Sequence, residues 1–193
     1  MSDKNIETFY PKNRKDWRKW LAENHQSQVA VWLLFYKKSS DKPSLTWSEA
    51  VDEALCFGWI DSKKVTRDKE SYLQYFSPRK AKSIWSKINK DKIEKLIEEG
   101  LMKKAGLESI AIAKENGSWS FLDEVDALVI PEDLEMAFSS YKRSKDYFTS
   151  LSNSKKKILL YWIVSAKRDE TRQKRIEEIA QQASLEQLPK AFR

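Results

Sequence analysis

Glycine occurs only four times in this 193-residue chain, proline five times, and cysteine and histidine once each. Each shortage excludes something. Four glycines cannot supply the many tight turns of a β-sandwich or propeller, so a helix-rich chain is expected. Gly58, Gly100, Gly106 and Gly117 match neither G-x-G-x-x-G nor G-x-x-x-x-G-K, so both common phosphate-binding loops are absent. A single cysteine, Cys56, cannot close an intramolecular disulfide, which suits a reducing compartment. Cys56 and His25 fall short of the four such ligands of a structural zinc site, so neither a metal nor a cofactor is expected. Long apolar runs are also missing. Residues 29–36 and 158–164 are far below the roughly 20 residues a membrane-spanning helix needs. Residues 1–17 are polar and lack the apolar core of a secretory signal. The sequence therefore reads as soluble and cytoplasmic, with no membrane span.

What is abundant is aromatic and charged. Hydrophobic residues make up 40% of the chain, aromatics 12% and charged residues 34%, with eight tryptophans. That is enough apolar matter for a packed core. Asn13 can cap a first helix, with Asp16 in its first turn and Trp17, Trp20 and Leu21 on one face. The β-branched and aromatic run 29–36 reads as a buried strand. Thr46 and Glu49 form a capping box for a helix over 47–57, and Gly58 stands where a helix end wants a left-handed residue. Residues 59–67 and 72–79 read as two more strands joined by a polar turn. Beyond Pro78 the pattern is helical: Asn89 is expected to cap a helix that Gly100 ends, and Gly117 ends the next. Pro131 suits a helix start. Residues 167–175 hold no apolar residue, which divides the last third into two helices.

The fold class expected is α+β: a small antiparallel sheet of about three strands packed with helices, then a mainly helical C-terminal region. The first part is taken as 1–130 and the helical part as 131–193, either a separate unit or packed on the same core.

The net charge of +7 is unevenly spread. Residues 61–92 hold 10 basic against 4 acidic residues, residues 93–140 hold 4 against 11, and residues 141–193 hold 13 against 6. Two basic segments flank an acidic one. Internal pairing between them is one explanation. The other is a polyanion-binding surface made of Lys155, Lys156, Lys157, Lys167, Arg168, Arg172, Lys174 and Arg175. Glu177 and Glu178 dilute that run and no nucleic-acid recognition motif is present, so nucleic acid is not the expected partner.

A polar cluster stands out around the two later strands. Gly58 turns the chain so that Trp59 and Asp61 start a strand, and Pro78 leaves Arg79 at an exit loop. Ser83, Trp85, Ser86 and Asn89 follow just before a helix N-terminus, where free N–H groups attract anions. A guanidinium, two hydroxyls, an amide and an indole can hold a carboxylate or phosphate attached to a flat or apolar group. Each residue also has a structural role open to it: Asp61 with Arg79 as an ion pair between strands, Trp59 and Trp85 as core anchors, Asn89 as a helix cap, and Ser83 and Ser86 as turn or cap residues. Cys56 reads as a small buried hydrophobe and His25 as a surface residue after a helix end.

Residues 54–62, 75–79, 83–89, Gly100, Leu101, Met102, Ala105 and Gly106, in this order and spacing, resemble the YdeI/OmpD-associated family, also called bacteriocin-protection proteins. Trp17, Trp20 and Leu21, the strand at 31–38, the capping-box helix and residues 162–175 extend the resemblance. It implies a non-enzymatic protein linked to tolerance of bacteriocins or cationic antimicrobial peptides. The partner would be an unidentified small anionic ligand or a peptide or protein, bound through the 58–89 block. An enzyme using Asp61, Ser83 or Ser86, with Glu53 as a further carboxylate, is the alternative. A Ser-His-Asp arrangement in it would need His25 brought over the site.

Overall fold

A computed structural model describes residues 6–193; residues 1–5, part of the polar N-terminal stretch, lie outside the described residues. Contacts divide the chain into two compact units, the first ending at Phe121 and the second running Leu122–Arg193.

The first unit is α+β. Its elements are β1 (Thr8–Phe9), α1 (Arg14–Asn24), β2 (Val31–Tyr36), α2 (Trp47–Cys56), β3 (Trp59–Thr66), β4 (Ser71–Pro78), α3 (Lys87–Glu98) and α4 (Lys104–Glu115). The strand order is β1-β2-β4-β3. β2, β4 and β3 pair antiparallel, as expected of the three longer strands. The sheet is mixed rather than purely antiparallel, because the two-residue β1 adds to β2 in parallel, Thr8 opposite Trp32.

Local chemistry explains the helix starts. The Asn13 side chain accepts from the Asp16 amide at 3.0 Å. Thr46 and Glu49 form the reciprocal capping box on α2, and the Thr46 amide and hydroxyl hold the Glu49 carboxylate below the usual range. Gly58 takes φ +74° directly after α2, which lets β3 begin at Trp59. The cap of α3 is Ser86, not Asn89: the Ser86 hydroxyl accepts from the Asn89 amide at 3.3 Å. Buried Trp85 fixes the chain one residue earlier, so Ser86 is the last extended residue and Asn89 falls inside the first turn. Ser86→Ala should lower unfolding free energy by about 1 kcal/mol, the usual cost of a lost cap, while Asn89→Ala costs clearly less; urea denaturation of the two variants checks this.

The core of this unit joins Trp17, Trp20 and Leu21 of α1, Val31, Leu33 and Phe35 of β2, the apolar face of α2, and Trp59, Phe76 and Trp85. Trp17 and Trp20 stack with ring centroids 5.1 Å apart, and Trp59 meets Trp20 edge-on at 5.7 Å. Cys56 is fully buried here, and burial pushes its thiol pKa up, so it serves as a small apolar residue and not as a nucleophile.

The second unit is helical: α5 (Asp123–Asp126), α6 (Glu132–Ser139), α7 (Ser144–Ser150), α8 (Asn153–Val164), α9 (Asp169–Ser184) and a 3-10 turn (Lys190–Phe192). Its own core gathers Leu134, Phe138, Phe148, Leu159, Leu160 and Ile163 against Ile176, Ile179, Ala180 and Ala183 of α9. Pro131 is the residue before α6, and the break at 165–168 gives the two expected final helices. Among the described residues, no helix is long and apolar enough to cross a membrane.

Candidate functional site

A cleft of about 1010 Å³ opens on the first unit where β3 starts and β4 ends. Its walls are the α1–β2 loop from His25 to Val29, Ile60–Ser62 of β3, Tyr75 and Ser77 of β4, and the stretch leading into α3. The antiparallel register sets this meeting place: Trp59 pairs with Pro78 and Ile60 with Ser77, and the Arg79 amide donates to the Gly58 carbonyl at 2.8 Å. The start of one strand and the exit of the other are thereby clamped together.

Five of the seven residues expected to hold a ligand line this cleft: Asp61, Arg79, Ser83, Ser86 and Asn89. Trp59 and Trp85 do not. Both are 1% exposed, so neither offers an open face for stacking. The Trp59 indole N–H donates to the His25 carbonyl at 3.1 Å, which ties the α1–β2 wall of the cleft to β3. Trp85 supports Arg79 from beneath, with the guanidinium carbon 3.7 Å from the ring centroid.

Arg79 is the unusual group. One terminal nitrogen donates to the Ile84 carbonyl at 3.1 Å, while Nε is buried with no hydrogen-bond partner. Burial pushes its pKa down to about 10, with the charge of Asp61 acting in the opposite direction. It stays cationic at neutral pH without a carboxylate bonded to it. The expected Asp61–Arg79 ion pair is not formed. Asp61 instead accepts from the Trp47 indole at 2.9 Å and from the Gln74 amide at 3.0 Å. A β-bulge between Asp61 and Lys64 accompanies that arrangement.

The first turn of α3 adds donors. Ser86 occupies the Asn89 amide, which leaves the Lys87 and Ile88 amides at the helix start without helical partners.

Among the described residues a Ser-His-Asp arrangement is not formed. His25 shares its Nδ1 with the Leu21 carbonyl at 2.8 Å and packs edge-on against Phe57, and it makes no hydrogen bond to Ser83 or Ser86. Glu53 is occupied elsewhere. It is 2% exposed, and its carboxylate bonds Arg14 and Arg18, the latter at 2.5 Å; Arg18 continues to the Leu101 carbonyl at 2.7 Å. Among the described residues no group of three His, Cys, Asp or Glu side chains is placed to hold a metal.

Internal pairing has used part of the basic C-terminal set. Lys157 bonds Asp126 at 2.7 Å, and Arg172 grips Asp133 with two bonds of 2.7 and 3.0 Å. Arg175 donates to the Trp162 carbonyl and lies over its ring. These three of the eight are bound into the second unit, and two of them, Lys157 and Arg172, partner carboxylates of the acidic 93–140 segment as its charge suggests. Lys155, Lys167, Arg168 and Lys174 are exposed, and Lys156 is half-buried.

Residues 9–109 match the family model described as Domain of unknown function (DUF8412). The chain belongs to this family. The DUF8412 match takes in β2, β3 and β4, the capping-box helix and every cleft residue. Residues 127–185 match a second model, described as Bacteriocin-protection, YdeI or OmpD-Associated. The likeness to that family is therefore established for the helical second unit, whereas the 54–106 block lies in the DUF8412 part. No curated protein and no solved structure matches the chain significantly.

Sequence reasoning missed the Glu53 pair. Its signal was the position of Glu53 between Ala50 and Cys56 at helical spacing on the apolar face of α2, where a carboxylate demands a cationic partner. Arg14 and Arg18, spaced i,i+4 beside the apolar face of α1, are the cations that answer it.

Proposed function

We propose that this is a non-enzymatic binding protein of the bacteriocin-protection type, and that the Arg79 cleft holds a small anion. The observation that supports it is Arg79 itself: a half-buried guanidinium, fixed on Trp85 and the Ile84 carbonyl, with unspent donors in the wall of a cleft. A structural arginine in such a place is ordinarily matched by a carboxylate, as Glu53 matches Arg14 and Arg18. Here Asp61 is directed to Trp47 and Gln74, and the side chains of Ser83, Ser86 and Asn89 in the same cleft carry donors. The arrangement is fit to take charge-assisted hydrogen bonds from an anion that enters from solvent.

A thermal-shift titration with phosphate, acetate and benzoate, against chloride at equal ionic strength, tests this. At ten times Kd a bound anion adds about 1.4 kcal/mol of stability, a rise of a few degrees in Tm. At least one anion should give that saturable rise in the wild type and none in Arg79→Met, which keeps an apolar side chain on Trp85. No rise with any of the three, or an equal rise in the variant, would overturn it.

A further inference from the structure

Resting on that reading of the Arg79 cleft, we infer that its ligand is a monocarboxylate carrying an apolar or aromatic group. Charge selects the head. The charged side chains lining the cleft are Arg79, Lys80 and Asp61, a small positive excess that suits one negative charge better than two. The guanidinium fork also matches the two oxygens of a carboxylate.

The walls select the body. Besides the donors the cleft is lined by Val29, Ile60, Tyr75, Pro78 and Ile84. Val29 is 67% exposed and Ile84 37% exposed, so apolar surface is left uncovered at the mouth. Tyr75 and Ser77 point away from the core that Phe76 enters, because successive strand residues alternate, and this sets the Tyr75 ring on the cleft side of the sheet. Ile84 ties head to body: its carbonyl accepts from Arg79 while its side chain lines the cleft. A head bound at the guanidinium therefore has apolar wall within a few bonds of it. The volume, about 1010 Å³, is large enough for an aryl acid or for the last residues of a peptide ending in an apolar side chain. Both share the chemistry of a carboxylate beside an apolar group.

Isothermal titration with five probes separates head from body: acetate, inorganic phosphate, 3-phenylpropionate, 3-phenylpropanamide and acetyl-Ala-Ala-Phe. The expected order is 3-phenylpropionate at least tenfold tighter than acetate or phosphate, with no binding of the amide. Tyr75→Ala should remove most of that tenfold advantage, while Arg79→Met abolishes all binding. Acetyl-Ala-Ala-Phe binding tighter than 3-phenylpropionate assigns the carboxylate to a peptide terminus, and the reverse order to a free acid; either supports the inference. Equal affinity for acetate and 3-phenylpropionate, or tighter phosphate, overturns the apolar-carboxylate assignment and leaves the anion cleft standing. Absence of binding by every anion removes both.

Discussion

Glu53→Ala is expected to destabilise the first unit by about 3 kcal/mol, one of the two largest effects foreseen for this chain. Removing one member of a buried ion pair typically costs 3–5 kcal/mol, because the remaining charge loses its partner without regaining water. Here the remaining charges are Arg14 and Arg18, whose side chains are 37% and 26% exposed, which places the cost at the lower end. The carboxylate links α1 to α2, and through Arg18 to the Leu101 carbonyl, so three segments loosen together. The Glu53 hydrogen bond raises the Arg14 pKa, which marks the same coupling from the other side. Arg14→Ala should cost much less, about 1 kcal/mol or below for a partly exposed member, since Arg18 still neutralises Glu53. Urea denaturation of both variants and of the double variant measures the coupling. Equal small losses for Glu53→Ala and Arg14→Ala would show that the pair does not hold the helices together.

Gly106→Ala should be the second large loss, and its sign is the informative part. In an ordinary helix interior, alanine in place of glycine gains about 1 kcal/mol. Gly106 lies in α4 where that helix meets the end of α2. A Cβ there would stand 2.8 Å from the Leu55 carbonyl oxygen and closer still to that of Cys56. Both obstacles are backbone, so a rotamer change cannot relieve them. The Lys103 amide also donates to the Cys56 carbonyl at 3.0 Å, which locks the approach. A net loss of about 3 kcal/mol is expected, at the upper end of overpacking costs. Exposed Ala111, on the same helix, provides the contrast: Ala111→Gly should cost only the propensity difference of about 1 kcal/mol. Thermal melts of the two variants decide it, and a stabilised Gly106→Ala would contradict the close packing of α2 on α4.

These two residues also show where sequence legibility ends. The capping box at Thr46 and Glu49, the turn at Gly58 and the longer strands were readable because their causes are local: a side chain bonding three residues away, a positive φ, an alternation of faces. The α+β class followed from them. β1 was not readable, since two residues carry no periodicity and its parallel pairing with β2 depends on the sheet being there first. The α3 cap was misplaced from Ser86 to Asn89 because both side chains can cap. What decides between them is the anchoring of Trp85 in the core, a tertiary event. Glu53 lies 39 residues from Arg14 and 35 from Arg18, distances at which spacing says nothing about contact.

The candidate site divides in the same way. Five of the polar residues that line the cleft are close in sequence, so the stretch from Asp61 to Asn89 declared them. Trp59 and Trp85 were named with them because a tryptophan near polar residues serves equally as platform or as core, and only burial separates the two. The α1–β2 wall of the cleft, His25 to Val29, carries no motif and comes from a distant part of the chain. The charge blocks were informative in a different way. The acidic middle segment and the basic C-terminal one foretold the Lys157–Asp126 and Arg172–Asp133 pairs, though not which residues would form them.

The most direct test of the central claim watches the Arg79 guanidinium itself. In a ¹⁵N-labelled sample the Arg79 Nε–Hε signal is assigned by its disappearance in Arg79→Lys, and benzoate is titrated in at constant ionic strength. The anion cleft predicts that this signal shifts and saturates while the Arg14 and Arg18 signals, engaged by Glu53, stay in place. An Arg79 signal that does not move, or that moves linearly and no more than the other arginines, would contradict it.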